Sequence, residues 1–418
     1  MLDCTIYEKK NAFAALNGKI FDIDYAWYEE GKAWFVGKGN NYIFCADIRQ
    51  KEIDILGRLP GNQYRHYSKV IKIGSKLICL PCAEKDIIIY DLETGTYKRI
   101  AIKNCEEAIR IYCSNAGVID GKLFFIIVNL KRIVVLDLVK EEIDSCLDIG
   151  CCNVKDVIGH KSELYEHKLY IPVATENKVI IFDIRSEEYT EKRIEGDISG
   201  IGWICCDSDC LWLVGFSYGI VRWDIHTGKI SSAKGFPENF KLYNVIKRKK
   251  RKELEWFSYS EKRKIISDDD KFFCWECVCN KENIWNITSM SDSIIRVNAK
   301  TMIADAIKLV DVEGVIAEPY EFVLLGLDLD NHIFVFSRRN RELYNINCET
   351  LEYRAESWNI TPEVIHILAE DSLEKMMNEG HDGFGLKKFV FCLLNQNRDR
   401  TDDKVYSVVG AQIYKQIC

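Results

Sequence analysis

The chain has 418 residues, 47% of them hydrophobic and 11% aromatic, and a formal net charge of −7. That is ample apolar material for a large core and too much for a disordered chain. The acidic balance argues against a general nucleic-acid binder, whose phosphate contacts need a basic surface.

From the start of the chain, "MLDCTIYEKK" lacks a basic region followed by an apolar stretch and a cleavage site, so no secretory signal is expected. The longest apolar run, residues 122–139, is broken by Lys131 and Arg132 and is too short and too charged to span a membrane. Eighteen cysteines occur, mostly inside apolar strand-like runs. Without an export signal they read as reduced core residues of a cytoplasmic protein rather than a disulfide framework.

A hairpin pattern then recurs along the chain. "YIFCADIRQKEIDIL" carries Asp47, "IIIYDLETGTYKRI" Asp91, "RIVVLDLVKEEIDSC" Asp137, "VIIFDIRSEEYTEKRI" Asp183 and "GIVRWDIHTGKISSA" Asp224. Weaker copies follow at Asn298 in "SIIRVNAKTMIADAI" and Asn345 in "RELYNINCETLEYRA", where Asn can supply the same turn chemistry. The separations are 44, 46, 46, 41, 74 and 47 residues. A period of about 45 therefore holds except in one interval that carries roughly 30 extra residues.

Each copy is preceded by a strand such as "GKAWFVGK", "SKLICLP" or "GKLFFIIV", and most have a further extended stretch upstream. Four short strands per repeat make one propeller blade, because a single such sheet must cover its faces with neighbours around a ring. The expected fold is all-β, a seven-bladed β-propeller over residues 1–360. Six or eight blades also fit, since the first and sixth repeats are ragged and "CTIYE" offers another strand. The "apolar strand, Asp-Leu/Ile, x-Thr-Gly" hairpin resembles bacterial propellers of the kelch-like and YncE-like kind over about residues 14–360. The paired glycines of a kelch blade and the Gly-His to Trp-Asp pattern of WD repeats are both missing. The resemblance implies a fold and no particular activity. The recurrent acids are read as turn residues that accept backbone N–H bonds, not as metal ligands.

The long interval is an insertion at about 244–270. It holds the basic run Lys247, Arg248, Lys249, Lys250, Arg251 and Lys252, the aromatic residues Trp256, Phe257 and Tyr259, and the acids Asp268–Asp270. It reads first as a long solvated hairpin and second as a contact surface for a phosphate-bearing or polyanionic partner. In residues 361–418 the periodicity turns helical. Thr361 stands at an N-cap, Pro362 at the first helical position and Gly380 past the end. A C-terminal α-helical extension packed on the propeller or on a partner is expected.

The search for local chemistry yields no catalytic motif. "CLPC" (Cys79, Cys82) has redox-pair spacing but falls in a strand, away from the helix N-terminus such pairs use. "CCDSDC" (Cys205, Cys206, Cys210) and "CWECVC" (Cys274, Cys277, Cys279) look like zinc half-sites. Strand alternation, however, would place Cys277 and Cys279 on one face and Cys274 on the other, so core cysteine is the expectation, with no metal and no cofactor. No "HExxH" or "GxGxxG" occurs.

Candidate ligand residues come from the segments that lead into each blade: Arg65, His66, Tyr67, Arg110, Tyr112, His160, Lys161 and Trp203. Such segments gather around a propeller's channel, where planar stems stack and charged ends form directed bonds. The expected function is a non-catalytic interaction module for a protein, peptide or glycan ligand. The alternative is an enzyme acting on a carbohydrate or small anionic metabolite, with His66, His160 and the nearby arginines as channel acid/base groups.

Overall fold

A computed structural model of the chain describes residues 23–37, 40–61, 67–82, 84–103, 113–153, 156–236, 274–280, 282–288, 293–309, 322–337, 342–361, 363–364 and 367–368. Within them lie seven antiparallel sheets, six of four strands and one of five. The blades occupy residues 26–58, 67–101, 113–148, 163–193, 199–232, 274–308 and 322–357. The count is seven, with no eighth blade among the described residues.

Each blade grades from a buried interior to a wet rim. Second strands such as Lys122–Ile127, "KLFFII", are buried on both faces and so read as continuous apolar runs. Fourth strands such as Tyr97–Ala101, "YKRIA", are mostly exposed. Between neighbouring blades lie seven apolar clusters, one per interface, and the last of them joins blade seven to blade one through Leu325, Phe334 and Phe336 against Phe35, Phe44 and Ile53. No blade could bury these faces alone, which is why the period of the sequence becomes a closed ring.

The hairpin between the third and fourth strands is the same device seven times. The side-chain oxygen of Asp47 accepts the N–H of Arg49 at 3.0 Å and of Gln50 at 2.9 Å. Asp91, Asp137 and Asp183 accept the N–H groups two and three residues on in the same way, and Asp224 that of Thr227 at 2.8 Å. Asn298 repeats the pattern with Lys300 and Thr301. In the seventh blade the turn residue is Asn347, which accepts from Glu349 and Thr350 at 2.9 Å each; this corrects the expected Asn345, whose side chain pairs instead with the His332 ring at 2.6 Å. The fourth residue after each turn acid or amide is left-handed: Lys51, Gly95, Glu141, Glu187, Gly228, Met302 and Leu351 all have φ between 53° and 71°.

Closure draws on both ends of the repeat array. The chain leaves blade seven, and Asn359–Ile360 adds a fifth, parallel strand to the outer edge of blade one, with Asn359 opposite Glu52. The Asn359 N–H donates to the Lys51 carbonyl at 2.7 Å, and Lys51 also pairs with Glu356 at 3.2 Å. Thr361 Oγ1 accepts the Val364 N–H at 3.4 Å, the capping contact the sequence predicts. Glu363, Val364, Ile367 and Leu368 are helical, and Val364 and Leu368 are buried at the seam between blades seven and one. The rest of the expected tail, and the insertion with its basic run and aromatic residues, lie outside the described residues.

Candidate functional site

First strands of the blades line the ring's interior. A cavity of about 400 Å³ opens there between blades one, two, six and seven. Its walls include Tyr25, Trp27 and Tyr28 of blade one and Leu324–Leu327 of blade seven, and its charged groups are Lys69, Lys161 and Glu276. Gly326 permits the wall to close: a Cβ there would stand 2.1 Å from the Cβ of Tyr28, so only glycine lets the first strands of blades seven and one approach.

Three different blades supply the charges. Lys69 comes from the strand Tyr67–Ile73 and is 7% exposed. Its ammonium lies 4.4 Å from the Tyr25 ring centroid and donates to the His160 carbonyl at 3.3 Å. Burial pulls its pKa down and Glu276 opposes the shift. Lys161, in the segment leading into blade four, donates to the Cys277 carbonyl at 2.7 Å, approaches Cys205 Sγ at 3.3 Å and pairs with Glu276 at 3.8 Å. Burial opposes its charge, yet the sulfur atoms of Cys205 and Cys277 and the Glu276 carboxylate prevail and hold its pKa well above the usual lysine value. The Glu276 carboxyl is pushed up by burial and drawn back by the two lysines. Two positions from Lys161, burial raises Glu163 to about 8, although the Lys161 charge and the N–H groups of Cys206 and Leu164 stabilise its charged form.

The ligand residues expected from sequence fare unequally. Lys161 stands in the cavity. His160 stacks on Trp203 at 5.2 Å and on Phe216 at 5.9 Å between centroids. Trp203, 1% exposed, belongs to the core between blades five and six, and Tyr67, fully buried, to the core between blades one and two, so neither ring presents a face to a channel ligand. Both stand on strands, buried between neighbouring blades, where the sequence suggests loop. Arg65, His66, Arg110 and Tyr112 lie outside the described residues.

Sequence reasoning missed Lys69 and Glu276, each a single polar residue inside an apolar strand, with nothing local to mark it. It also separated cysteines that the fold unites. A bulge between Cys274 and Glu276 breaks the strand's alternation, and Cys274, Cys277 and Cys279 all pack into the cluster that contains Cys205. Cys205 Sγ and Cys277 Sγ are 3.1 Å apart, and Cys279 Sγ donates to the Cys206 carbonyl at 3.0 Å. Among the described residues, no three His, Cys, Asp or Glu side chains are arranged to hold a metal ion. Cys79 of "CLPC" is buried inside its strand, and burial raises its pKa, the reverse of an activated thiol.

No protein-family model matches the chain, and no curated protein does. Solved structures do. The streptogramin B lyase structure superposes with a TM-score of 0.54 at 14% identity, over 77% of this chain and 93% of that one. The extracellular domain of the putative one-component system BT4673 from B. thetaiotaomicron gives 0.51 at 14% identity, over 75% of this chain and 40% of that one. A chain of the mitotic checkpoint complex gives 0.50 at 12% identity, over 81% and 87%. At such identities the likeness speaks to architecture alone. The chain is a seven-bladed β-propeller.

Proposed function

We propose that the protein is a non-catalytic binding module whose channel cavity takes the carboxylate end of a peptide or of an extended protein segment. One observation carries the reading: Lys69 and Lys161, from different blades, converge on a cavity walled by Tyr25, Trp27 and Tyr28, with Glu276 as the carboxylate between them. Ammonium groups held in a half-dry site favour an incoming anion, and the aromatic wall supplies area for an apolar or planar residue beside it. A volume of about 400 Å³ admits one or two residues and not a folded domain. An acidic glycan is the other ligand of matching chemistry.

Lys161, expected from sequence, and Lys69 are the anchoring charges of this proposal. The same proposal keeps the kelch-like or YncE-like kinship, supported by the repeated Asp hairpin. A cytoplasmic location is also proposed, supported by fourteen described cysteines that are all free thiols. Among the described residues no helix is long and apolar enough to cross a membrane.

The enzyme reading has one observation of its own. Glu163, with its raised pKa, feels the charge of Lys161, a residue that lines the cavity, and perturbed titrating groups mark active sites as well as structural networks.

The test uses the full chain and a panel of N-acetylated dipeptides, each as the free carboxylate and as its C-terminal amide, read by ligand-observed NMR. Binding of carboxylates but not amides is expected, weakened about tenfold or more by Lys69→Met, in line with a lost charge-assisted bond. Equal binding of acid and amide, or indifference to Lys69→Met, contradicts the proposal. Turnover of any panel member would favour the enzyme.

A further inference from the structure

Four thiols, one ammonium and the end of the cavity meet at the interface of blades five and six. Cys205 lies on the first strand of blade five, Ser199–Asp207, and Cys277 on the first strand of blade six, Cys274–Cys279. Their sulfur atoms are 3.1 Å apart, and Lys161 Nζ is 3.3 Å from Cys205 Sγ. We infer that Cys205 and Cys277 form a peroxide-responsive thiol pair, which a hydroperoxide entering the channel converts to a disulfide joining blades five and six.

The two sulfur atoms stand in different chemical settings. Cys205 is the centre of the cluster, with the sulfur of Cys277 and the ammonium of Lys161 both within hydrogen-bond distance of it. The hydrogen bond with the Cys277 thiol and the positive charge of Lys161 hold the Cys205 thiol well below its ordinary value against the cost of burial. Burial, and the bond it gives to Cys205, push Cys277 the opposite way. One sulfur is thus poised as thiolate nucleophile and its neighbour as the thiol that follows. When protonated, Cys205 has an acceptor in the Cys277 carbonyl at 3.2 Å, so both states are accommodated.

The chemistry balances with hydrogen peroxide as the oxidant. The Cys205 thiolate attacks one peroxide oxygen, the O–O bond breaks, and the departing hydroxide takes a proton and leaves as water. Cys205 is then a sulfenic acid. Cys277, as thiolate, attacks the Cys205 sulfur; the S–O bond breaks and the oxygen leaves as a second water. Two thiols have lost two electrons and two protons, and one peroxide has been reduced to two waters. Access fits a small oxidant: Cys205 is 2% exposed, but the cavity is lined by Lys161, Cys277 and Cys279, and the Lys161 side chain is 25% exposed.

Oxidation would also remove the thiolate that partners Lys161 and leave that ammonium freer for an anion in the cavity. The thiol chemistry itself does not depend on which ligand the cavity takes.

The decisive experiment treats the reduced full chain with hydrogen peroxide, blocks residual thiols by alkylation and maps disulfides by peptide fragmentation. The expected product is a Cys205–Cys277 link, lighter than the reduced pair by two hydrogen atoms, appearing before any other cysteine is oxidised. In Cys277→Ser, the Cys205 sulfenic acid should persist and be trapped by dimedone. Lys161→Met should slow the reaction about tenfold or more and Lys161→Arg should restore it, because the charge sets the thiolate fraction. Mapping of the unaltered chain alone overturns the inference if no link forms, if Cys206, Cys274 or Cys279 takes the place of either partner, or if an exposed cysteine reacts first. A normal rate in Lys161→Met removes the role given to the ammonium.

Discussion

Single residues carry the recurring hairpin, and their titration gives it a pH dependence. Backbone N–H bonds lower the pKa of Asp91, Asp137, Asp183 and Asp224, the Thr94 N–H being the largest influence on the first and the Lys140, Ser186 and Thr227 N–H groups on the others. A carboxylate depressed on folding stabilises the native state fully above the ordinary aspartate value of about 3.9 and loses that contribution as pH falls through the lower folded value. Urea unfolding should therefore show stability falling in that acid window. Replacing all four with Asn, the residue blades six and seven already use, should flatten the fall while keeping the turns; an unchanged slope would contradict this origin. A buried charge gives a second expectation. Lys178, 3% exposed, holds Asp156, 2% exposed, at 3.2 Å and Glu191 at 3.0 Å. Lys178→Met strands Asp156 without its cation and should cost about 3–5 kcal/mol in chemical denaturation. A loss below about 1 kcal/mol would mean that the pair is solvated.

Elements were legible from the sequence where a local rule repeats, and less so where two strands had to be compared. The hairpin turn could be read because Asp, Asn and the fourth-residue glycine of "DLETG" and "DIHTG" each have a conformational reason to be there. The seventh turn was misplaced by two residues, because "NIN" offers Asn345 and Asn347 alike and only the left-handed Leu351, at φ 63°, marks which one begins the turn. Five of the seven left-handed positions carry side chains that resist this conformation. Glu187→Gly, at an exposed site with φ 59°, should thus raise stability by about 0.5–1 kcal/mol in urea unfolding, the relief of backbone strain exceeding glycine's entropy cost. Destabilisation would show the turn to be unstrained. The strand Asn359–Ile360 was not legible as a latch, since two residues carry no periodicity. Asn359→Pro removes its N–H bond to Lys51 and should lower stability by about 1–2 kcal/mol.

At the scale of the whole molecule, the ring converts seven unremarkable sequence repeats into one site. Fold and blade number were readable because every interface repeats the same apolar faces at a fixed period. The cavity was not, because its charges are Lys69 in blade two, Lys161 before blade four and Glu276 in blade six, and only closure brings residues up to 207 positions apart into one neighbourhood. Strand alternation puts Cys274 and Cys277 on opposite faces, a rule the bulge at Cys274 and Glu276 suspends, and nothing local brings Cys205 to them. Gly326 ties the site to the fold: Gly326→Ala drives a methyl into Tyr28 at the seam that closes both ring and cavity. It should cost about 1–3 kcal/mol and weaken ligand binding together with stability.

If Lys69 and Lys161 hold a carboxylate in the channel, as proposed, a crystal structure of the full chain soaked with the tightest-binding N-acetylated dipeptide carboxylate should show the dipeptide in the cavity beside Tyr25 and Tyr28, its carboxylate within about 3 Å of both ammonium groups. Dipeptide density on another surface, with both lysines still engaged only as in the free protein, would contradict the proposal.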